Sequence, residues 1–365
     1  MLVLPRESHP LPQGSADLLN HHTTKAIAPN VCGLGTYLYS STVTPFGAII
    51  SGLGFRDSDV DCFVKLPEGY GLHERTIFDT RSILEQHPRL FLHPVAVDVA
   101  REPHVRFIHA PTGLQCDVSF GSQSAVRNTA LIKYLMGLDR RVLDLTAIVK
   151  YWSKLHKPPG ERRIMSNYAM ISLVIFYLQQ VKFLPPISSL QDNVQEITVE
   201  NWEMGFNEIP YRPSNNDTLF QLLGGFFTYY NSFDFDDLMV SIFAGVEMKR
   251  SVFENVDTVP DIFAAYKQNL VKLGIEPLNI KTAICVQDVF IHNSNIASAS
   301  SPKVLLSFKS DLNFANKAFE ERRDDFLEVI MEGSEYFQSL PENHSWDQQW
   351  SDSTSQSCRK VFMRN

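Results

Sequence analysis

Asp59 and Asp61 stand two residues apart at the end of a stretch that begins at Pro45 and carries Gly47, Ala48, Gly52 and Gly54. In an extended strand that spacing turns both carboxylates to one face, where they repel unless a cation neutralises them. A divalent metal is the natural third party. A third carboxylate, Asp117, lies on the mostly apolar run 114–120. The glycines upstream permit the close backbone approach that amide groups need to cradle a phosphate. Three carboxylates beside a glycine turn, with no Cys/His cluster of metal-binding spacing, point to oxygen-ligated magnesium acting on phosphates. An isolated Asp-x-Asp pair is also what a solvated strand end looks like, and on the pair alone the two readings stand level.

Such carboxylates need a sheet to hold them. Residues 31–65 carry strand signals interrupted by the glycine turn, 92–100 and 105–110 read as further strands, and Asp117 falls on the next. Between them, Ile77, Phe78, Ile83 and Leu84 have the spacing of a helix packed on a sheet. After Asp117 the pattern turns helical, over 124–138, 142–156, 167–181, 219–230 and 314–337. The segment 167–181 is apolar enough to be a central core helix, and Pro158, Pro159 and Gly160 separate it from the helix before. The fold class expected is α+β, a mixed-sheet domain packed against a mostly helical domain, with the active-site cleft between them. The expected boundaries are 1–30 for a linker or loosely held segment, 31–133 for the sheet domain, 134–340 for the helical domain and 341–365 for a polar tail.

The chain has 365 residues, 44% of them hydrophobic, and can bury a large core. A formal net charge of -8 argues against a general nucleic-acid coat protein, though not against a local basic groove. Five widely spaced cysteines without a Cys-x-x-Cys pair support neither a disulfide framework nor structural zinc, and a reducing compartment fits best. The start of the chain has no secretory pattern and the longest apolar helical run is too short for a bilayer, so no membrane partner is expected and the expected location is cytoplasmic.

Gly47-Ala48, then Asp59-Val-Asp61, then Cys116-Asp-Val-Ser-Phe120, resembles the active site of the polymerase-beta-like nucleotidyltransferases, and most of all the terminal uridylyltransferases and cytoplasmic poly(A) polymerases. The likeness continues through Asn128, 145–154, 165–168, 183–191 and 286–293, covering about residues 40 to 330. It implies a nucleotidyltransferase catalytic domain followed by a poly(A)-polymerase-associated central domain. The activity it implies is template-independent, Mg-dependent transfer of UMP from UTP to an RNA 3′ end, with release of pyrophosphate. Addition of AMP is the nearest alternative, and an inactive RNA-binding scaffold a more distant one. Asp59, Asp61 and Asp117 would be catalytic and hold magnesium, with manganese as a substitute. Gly47, Ala48 and Ser58 would line the triphosphate site, which Lys150 and Lys154, four apart on one helix face, would also reach; a solvated basic edge is the other reading of that pair. Asn128 would read ribose and base, Tyr168 would stack on the base, and Asn167 would contact base or triphosphate.

Base choice falls to the segment that begins at Asp288. Matching a His-Asn pair of the family selects His292 and Asn293, whereas alignment without a gap places Ser294 and Asn295 there and keeps the uridylyltransferase loop length; both alignments stand. Ala48, where the family has serine, removes one hydroxyl from the phosphate site. Gly121 and Ser122 replace the family's Asn-Asn after the third strand. The partners implied are an RNA 3′ end, UTP and an RNA-delivering protein. Arg101, Arg106, Arg127, Lys133, Arg162 and Arg163 are candidates for the RNA path, each also readable as ordinary surface charge.

Overall fold

The computed structural model describes Gly35, Leu38 and residues 41–55, 58–67, 75–98, 103–121, 123–157 and 164–332. The expected 1–30 segment and 341–365 tail lie outside them, as do Ser122, Arg101, Arg162 and Arg163.

Five strands form one sheet: β1 (Thr42–Phe46), β2 (Val60–Lys65), β3 (Phe91–Val97), β4 (His104–His109) and β5 (Leu114–Ser119), in the order β1-β2-β5-β4-β3. Only β2 and β5 run parallel, so the sheet is mixed, as expected. Alternation sets its two faces. Val60, Cys62, Val105, Phe107, Cys116 and Val118 are buried together in one core, whereas Asp61, Arg106 and Asp117 occupy the intervening positions and turn the other way. The edge strand β3 carries a register shift between Leu92 and Val95, where His93 adopts a positive φ beside Pro94. A proline cannot donate to a ladder and is tolerated at such an edge.

A four-residue helix, α1 (Ala48–Ser51), follows β1. Helix α2 (Thr76–Glu85) packs on β3 and β4, and α3 (Ser124–Leu138) packs on β1 and α1. Then come α4 (Arg140–Leu155), α5 (Asn167–Gln180), α6 (Leu219–Ser232), α7 (Ala264–Leu273), α8 (Pro302–Glu320) and α9 (Phe326–Glu332). Helix α5 is the central one: every residue from Ala169 to Gln179 is buried. Its start is fixed by Ser166, whose side chain accepts from the Ala169 amide. A second core forms around it, with Trp152 of α4 and Phe226, Phe227 and Tyr230 of α6 fully enclosed, and Leu53 of the glycine turn belongs to this core too.

The single helix expected over 314–337 is instead two within the described residues. α8 begins earlier, where Ser301 caps it and Pro302 occupies its first turn. It stops where Arg322 takes a left-handed backbone and Arg323 pairs with Asp325. Helix α7 was not anticipated from the sequence.

Between α6 and α8 much of the backbone is irregular and finds its hydrogen bonds elsewhere. Arg250, 8% exposed, donates to the carbonyl oxygens of Phe235, Leu238, Ile280, Thr282 and Ala283. Arg250→Ala strands these acceptors away from water. We expect it to lower the free energy of chemical denaturation by about 3 kcal/mol or more; a loss below ~1 kcal/mol would show that water replaces the guanidinium.

Candidate active site

The sheet brings two of the three aspartates face to face. Asp61 and Asp117 are register partners across the parallel pair β2–β5, and Phe46 at the end of β1 pairs with Asp61 from the other side. Asp59 stands just outside the ladder: the strand expected to carry both members of Asp-x-Asp begins one residue later, at Val60. On the far side of Asp117, Arg106 of β4 is its register partner. Its guanidinium grips both oxygens, Nε to Oδ1 at 2.8 Å and Nη2 to Oδ2 at 2.6 Å. His104 Nε2 lies 3.7 Å from the same Oδ2. The hydrogen bond to Asp117, with the Asp59 and Asp61 charges adding to it, holds Arg106 above its ordinary range despite partial desolvation. Burial, reinforced by Asp117, pushes the Cys116 thiol up to about 12, which makes it a packing group and not a nucleophile.

An oxygen-only set of carboxylates has the chemistry of a magnesium site. Among the described residues, however, no three acidic, histidine or cysteine side chains converge as a preformed metal site. Asp117 is turned to Arg106. The donor types fit the cation, and the arrangement requires Asp117 to be shared or released.

The glycine turn is built against Asp61. Gly47 has φ 81° and ψ -158°, and a Cβ there would collide with the Asp61 carboxylate. Its amide donates to Thr129 Oγ1 at 2.9 Å, and that hydroxyl donates to the Ala125 carbonyl at 2.8 Å, so α3 fixes the turn. Ala48 accepts from the Leu53 amide, and Ser58 Oγ accepts from the Phe55 amide at 2.8 Å, closing the loop after α1. Lys150 and Lys154 both face this loop. Lys150, 4% exposed, donates to the Leu53 carbonyl at 2.6 Å with Nζ 4.5 Å from the Phe55 ring centre; Lys154, exposed, lies 5.9 Å from the same ring. The pair is therefore placed at the exit of the glycine turn, with Lys150 buried there.

A second cluster joins residues 160 positions apart: Asn128 Nδ2 donates to Asp288 Oδ2 at 3.4 Å. Asp288 Oδ1 accepts from the Phe290 and Ile291 amides, each at 2.9 Å. Burial nevertheless pushes its carboxyl above the usual range, against the pull of those donors. Tyr168 is partly exposed as a residue while its hydroxyl is buried beside Asp288; burial, then the Asp288 charge, pushes that hydroxyl up. Asn128 Oδ1 is buried without a hydrogen-bond partner, an acceptor suited to a ligand hydroxyl or amine. Asn167 is exposed in the first turn of α5.

The structure corrects the assignment of His292 to the base. Its ring packs among Trp202, Phe243 and Phe263, with centroids 5.5, 4.3 and 5.1 Å away, and is 5% exposed. Burial pushes the imidazole down to about 4, so it is neutral at pH 7. The loop is held from within: the Gln287 side chain donates to the His292 carbonyl, and buried Asn295 accepts from the Val286 and Ala297 amides. Asn295 also donates to Asn279, Thr282 and Ile284. Asn293 donates to the Glu276 carbonyl. Ser294 uses its backbone to close the loop, its carbonyl accepting from the Asp288 amide at 2.9 Å, and its side chain is half-buried.

Of the RNA-path candidates, Arg127 is structural: it donates twice to the Met204 carbonyl and lies over the Phe206 ring. Lys133 is exposed. Sequence reasoning missed the roles of Thr129 and Gln287, neither of which carries a spacing signal, and the pairing of Arg106, which the hairpin through Gly113 makes visible only once register is known. Gly47→Ala adds both a collision with Asp61 and a backbone conformation reserved for glycine. We expect it to cost about 1–3 kcal/mol in chemical denaturation, with part recovered in Gly47→Ala/Asp61→Ala; no recovery would assign the whole cost to the backbone.

Residues 24–136 match the family described as the central palm domain of mitochondrial-like poly(A) RNA polymerase. The chain is 31% identical over 240 residues to the speckle targeted PIP5K1A-regulated poly(A) polymerase of Danio rerio, covering 61% of this chain and 29% of that one. It is 27% identical over 315 residues to terminal uridylyltransferase 4 of Mus musculus, covering 80% of this chain and 17% of that one. The chain thus spans less than a third of the length of either relative. Its fold is similar to that of the Cid1 poly(U) polymerase, with TM-score 0.65, 20% identity and 84% and 92% of the two chains covered. It is similar also to mtPAP, with TM-score 0.66, 20% identity and 84% and 65% covered. In the described residues no helix is long and apolar enough to cross a membrane. By these matches the chain is similar to the poly(A) RNA polymerases and the terminal uridylyltransferases.

Proposed function

We propose that the protein transfers a nucleoside monophosphate from a ribonucleoside triphosphate to the 3′ end of RNA without a template, and that UTP is the donor. The observation that carries the transfer is the register pairing of Asp61 with Asp117 beside the glycine turn. Bound at the aspartates, divalent cations supply activation of the attacking 3′-hydroxyl and neutralisation of the triphosphate and departing pyrophosphate. Asp59 and Asp61 stand at the entry of β2, and Gly47 keeps the backbone clear of Asp61. Lys150 fixes the loop after α1 through the Leu53 carbonyl, and Lys154 beside it presents the charge that meets the phosphates. Tyr168 offers its ring to the base, and Asn128 offers its unpaired oxygen to the ribose 2′-hydroxyl. The nucleophile is the RNA end, so no side chain of the protein forms a covalent intermediate.

UTP as donor is supported by Asp288 beside Asn128 and Tyr168 and by the loop length from Asp288 to Asn295, which resembles that of the uridylyltransferases. The relative from Mus musculus carries that activity in its name. A second reading, ATP as donor, has one observation behind it. With His292 turned into the aromatic core, nothing aligned with the family's histidine except Ser294 remains to crowd a purine. The division into a catalytic domain over 31–133 and a helical central domain over 134–340 is part of the same proposal, as is delivery of RNA by a protein partner.

A labelled RNA primer, incubated with magnesium and each ribonucleoside triphosphate in turn, tests this reading; extension with UTP above the other three is expected, and preference for ATP would transfer the assignment to the poly(A) polymerases. Asp61→Asn is expected to reduce extension at least about a hundredfold while the protein stays folded. Tyr168→Ala should raise the KM for the triphosphate about tenfold, the equivalent of ~1.4 kcal/mol of lost stacking. His292→Ala, by contrast, should lower the melting temperature and leave the UTP-to-ATP ratio within about twofold of wild type, because it opens a cavity in a core and not in the cleft.

A further inference from the structure

Asp117 stands between an anion and a cation. Asp61 faces it from β2 and Arg106 faces it from β4, each as its direct register partner. Arg106 takes the fork geometry, one nitrogen on each carboxylate oxygen, that guanidinium shares with planar oxyanions. The Asp117 side chain is 14% exposed and the Arg106 side chain 44%, so the carboxylate is enclosed while the guanidinium has room to move outward. A carboxylate whose two oxygens are both taken by a guanidinium is a poorer ligand for a second positive charge.

We propose that Arg106 is a resident counter-ion of Asp117 that a divalent cation must displace, so that the third carboxylate enters the metal site only when Arg106 leaves it. This rests on the reading that the aspartates hold divalent cations. Arg106 is thereby a positioning residue: it balances the carboxylate edge when no metal is present, and it sets how readily Asp117 is recruited.

The test is the affinity of the full chain for Mn2+ alone, followed by electron paramagnetic resonance without RNA or nucleotide, in a double-mutant cycle. Arg106→Gln should bind Mn2+ about fivefold more tightly than wild type, the size expected for removing competition by a half-exposed ion pair. Asp117→Asn should change wild-type affinity by less than about twofold and should abolish the gain in the Arg106→Gln background. Arg106→Lys, which keeps the charge but loses the fork, should fall between. A second measurement covers folding: with chelator present Arg106→Gln should melt below wild type, and Mn2+ should raise its melting temperature by more than it raises that of wild type. Equal or weaker Mn2+ binding by Arg106→Gln, or an equal effect of Asp117→Asn in both backgrounds, overturns the proposal. In that event, loss of Mn2+ binding in Asp61→Asn leaves the metal reading intact, whereas Mn2+ binding indifferent to Asp61 brings down both.

Discussion

Two carboxylates at facing positions of adjacent strands repel, and nothing in a β-ladder relieves that repulsion by itself. Asp61 and Asp117 are held in this arrangement by the parallel pairing of β2 with β5, and the rest of the site is organised around its consequences. Parallel pairing needs a long crossover, which here contains α2, β3 and β4, and the crossover returns through the strand that carries Arg106. The topology that creates the electrostatic problem thus also supplies a positive charge beside it. Gly47 belongs to the same constraint, since the turn passes so close to Asp61 that no side chain fits.

The second organising contact is the partly buried link between Asn128 and Asp288. It ties the start of α3, which touches the sheet, to a loop that follows α7. Leu53 makes a similar connection in the opposite direction, as its side chain sits in the helical core while its carbonyl accepts from Lys150. Asn128 of α3, Asp288 of the loop after α7 and Tyr168 of α5 are thereby brought together.

Much of the architecture could be read from sequence because it rests on periodicity. Helix α3 spans 124–138 as its pattern indicates, α5 ends within one residue of expectation, and the runs read as strands at 105–110 and through Asp117 fall on β4 and β5. Elements set by backbone detail were less legible. The stop after α8 depends on Arg322 entering the left-handed region, which no hydrophobic pattern signals. His292 shows the same limit at the site. A histidine next to an asparagine has the form of a base-reading pair, but three aromatic rings from distant segments, Trp202, Phe243 and Phe263, enclose it, and contacts of that sequence separation leave no local trace. Arg106 had a visible sequence position, yet its pairing required strand register.

Arg250 has a consequence of a different kind. Each of its acceptors is a main-chain oxygen, grouped in the short runs 235–238 and 280–283. Main-chain oxygens are present whatever side chain a residue carries, so substitutions within these runs leave the hub intact, whereas an insertion or deletion there pulls an oxygen out of reach. As far as Arg250 is concerned, this part of the chain can change its letters but must keep its spacing, while Phe235 and Thr282 are held by contacts of their own.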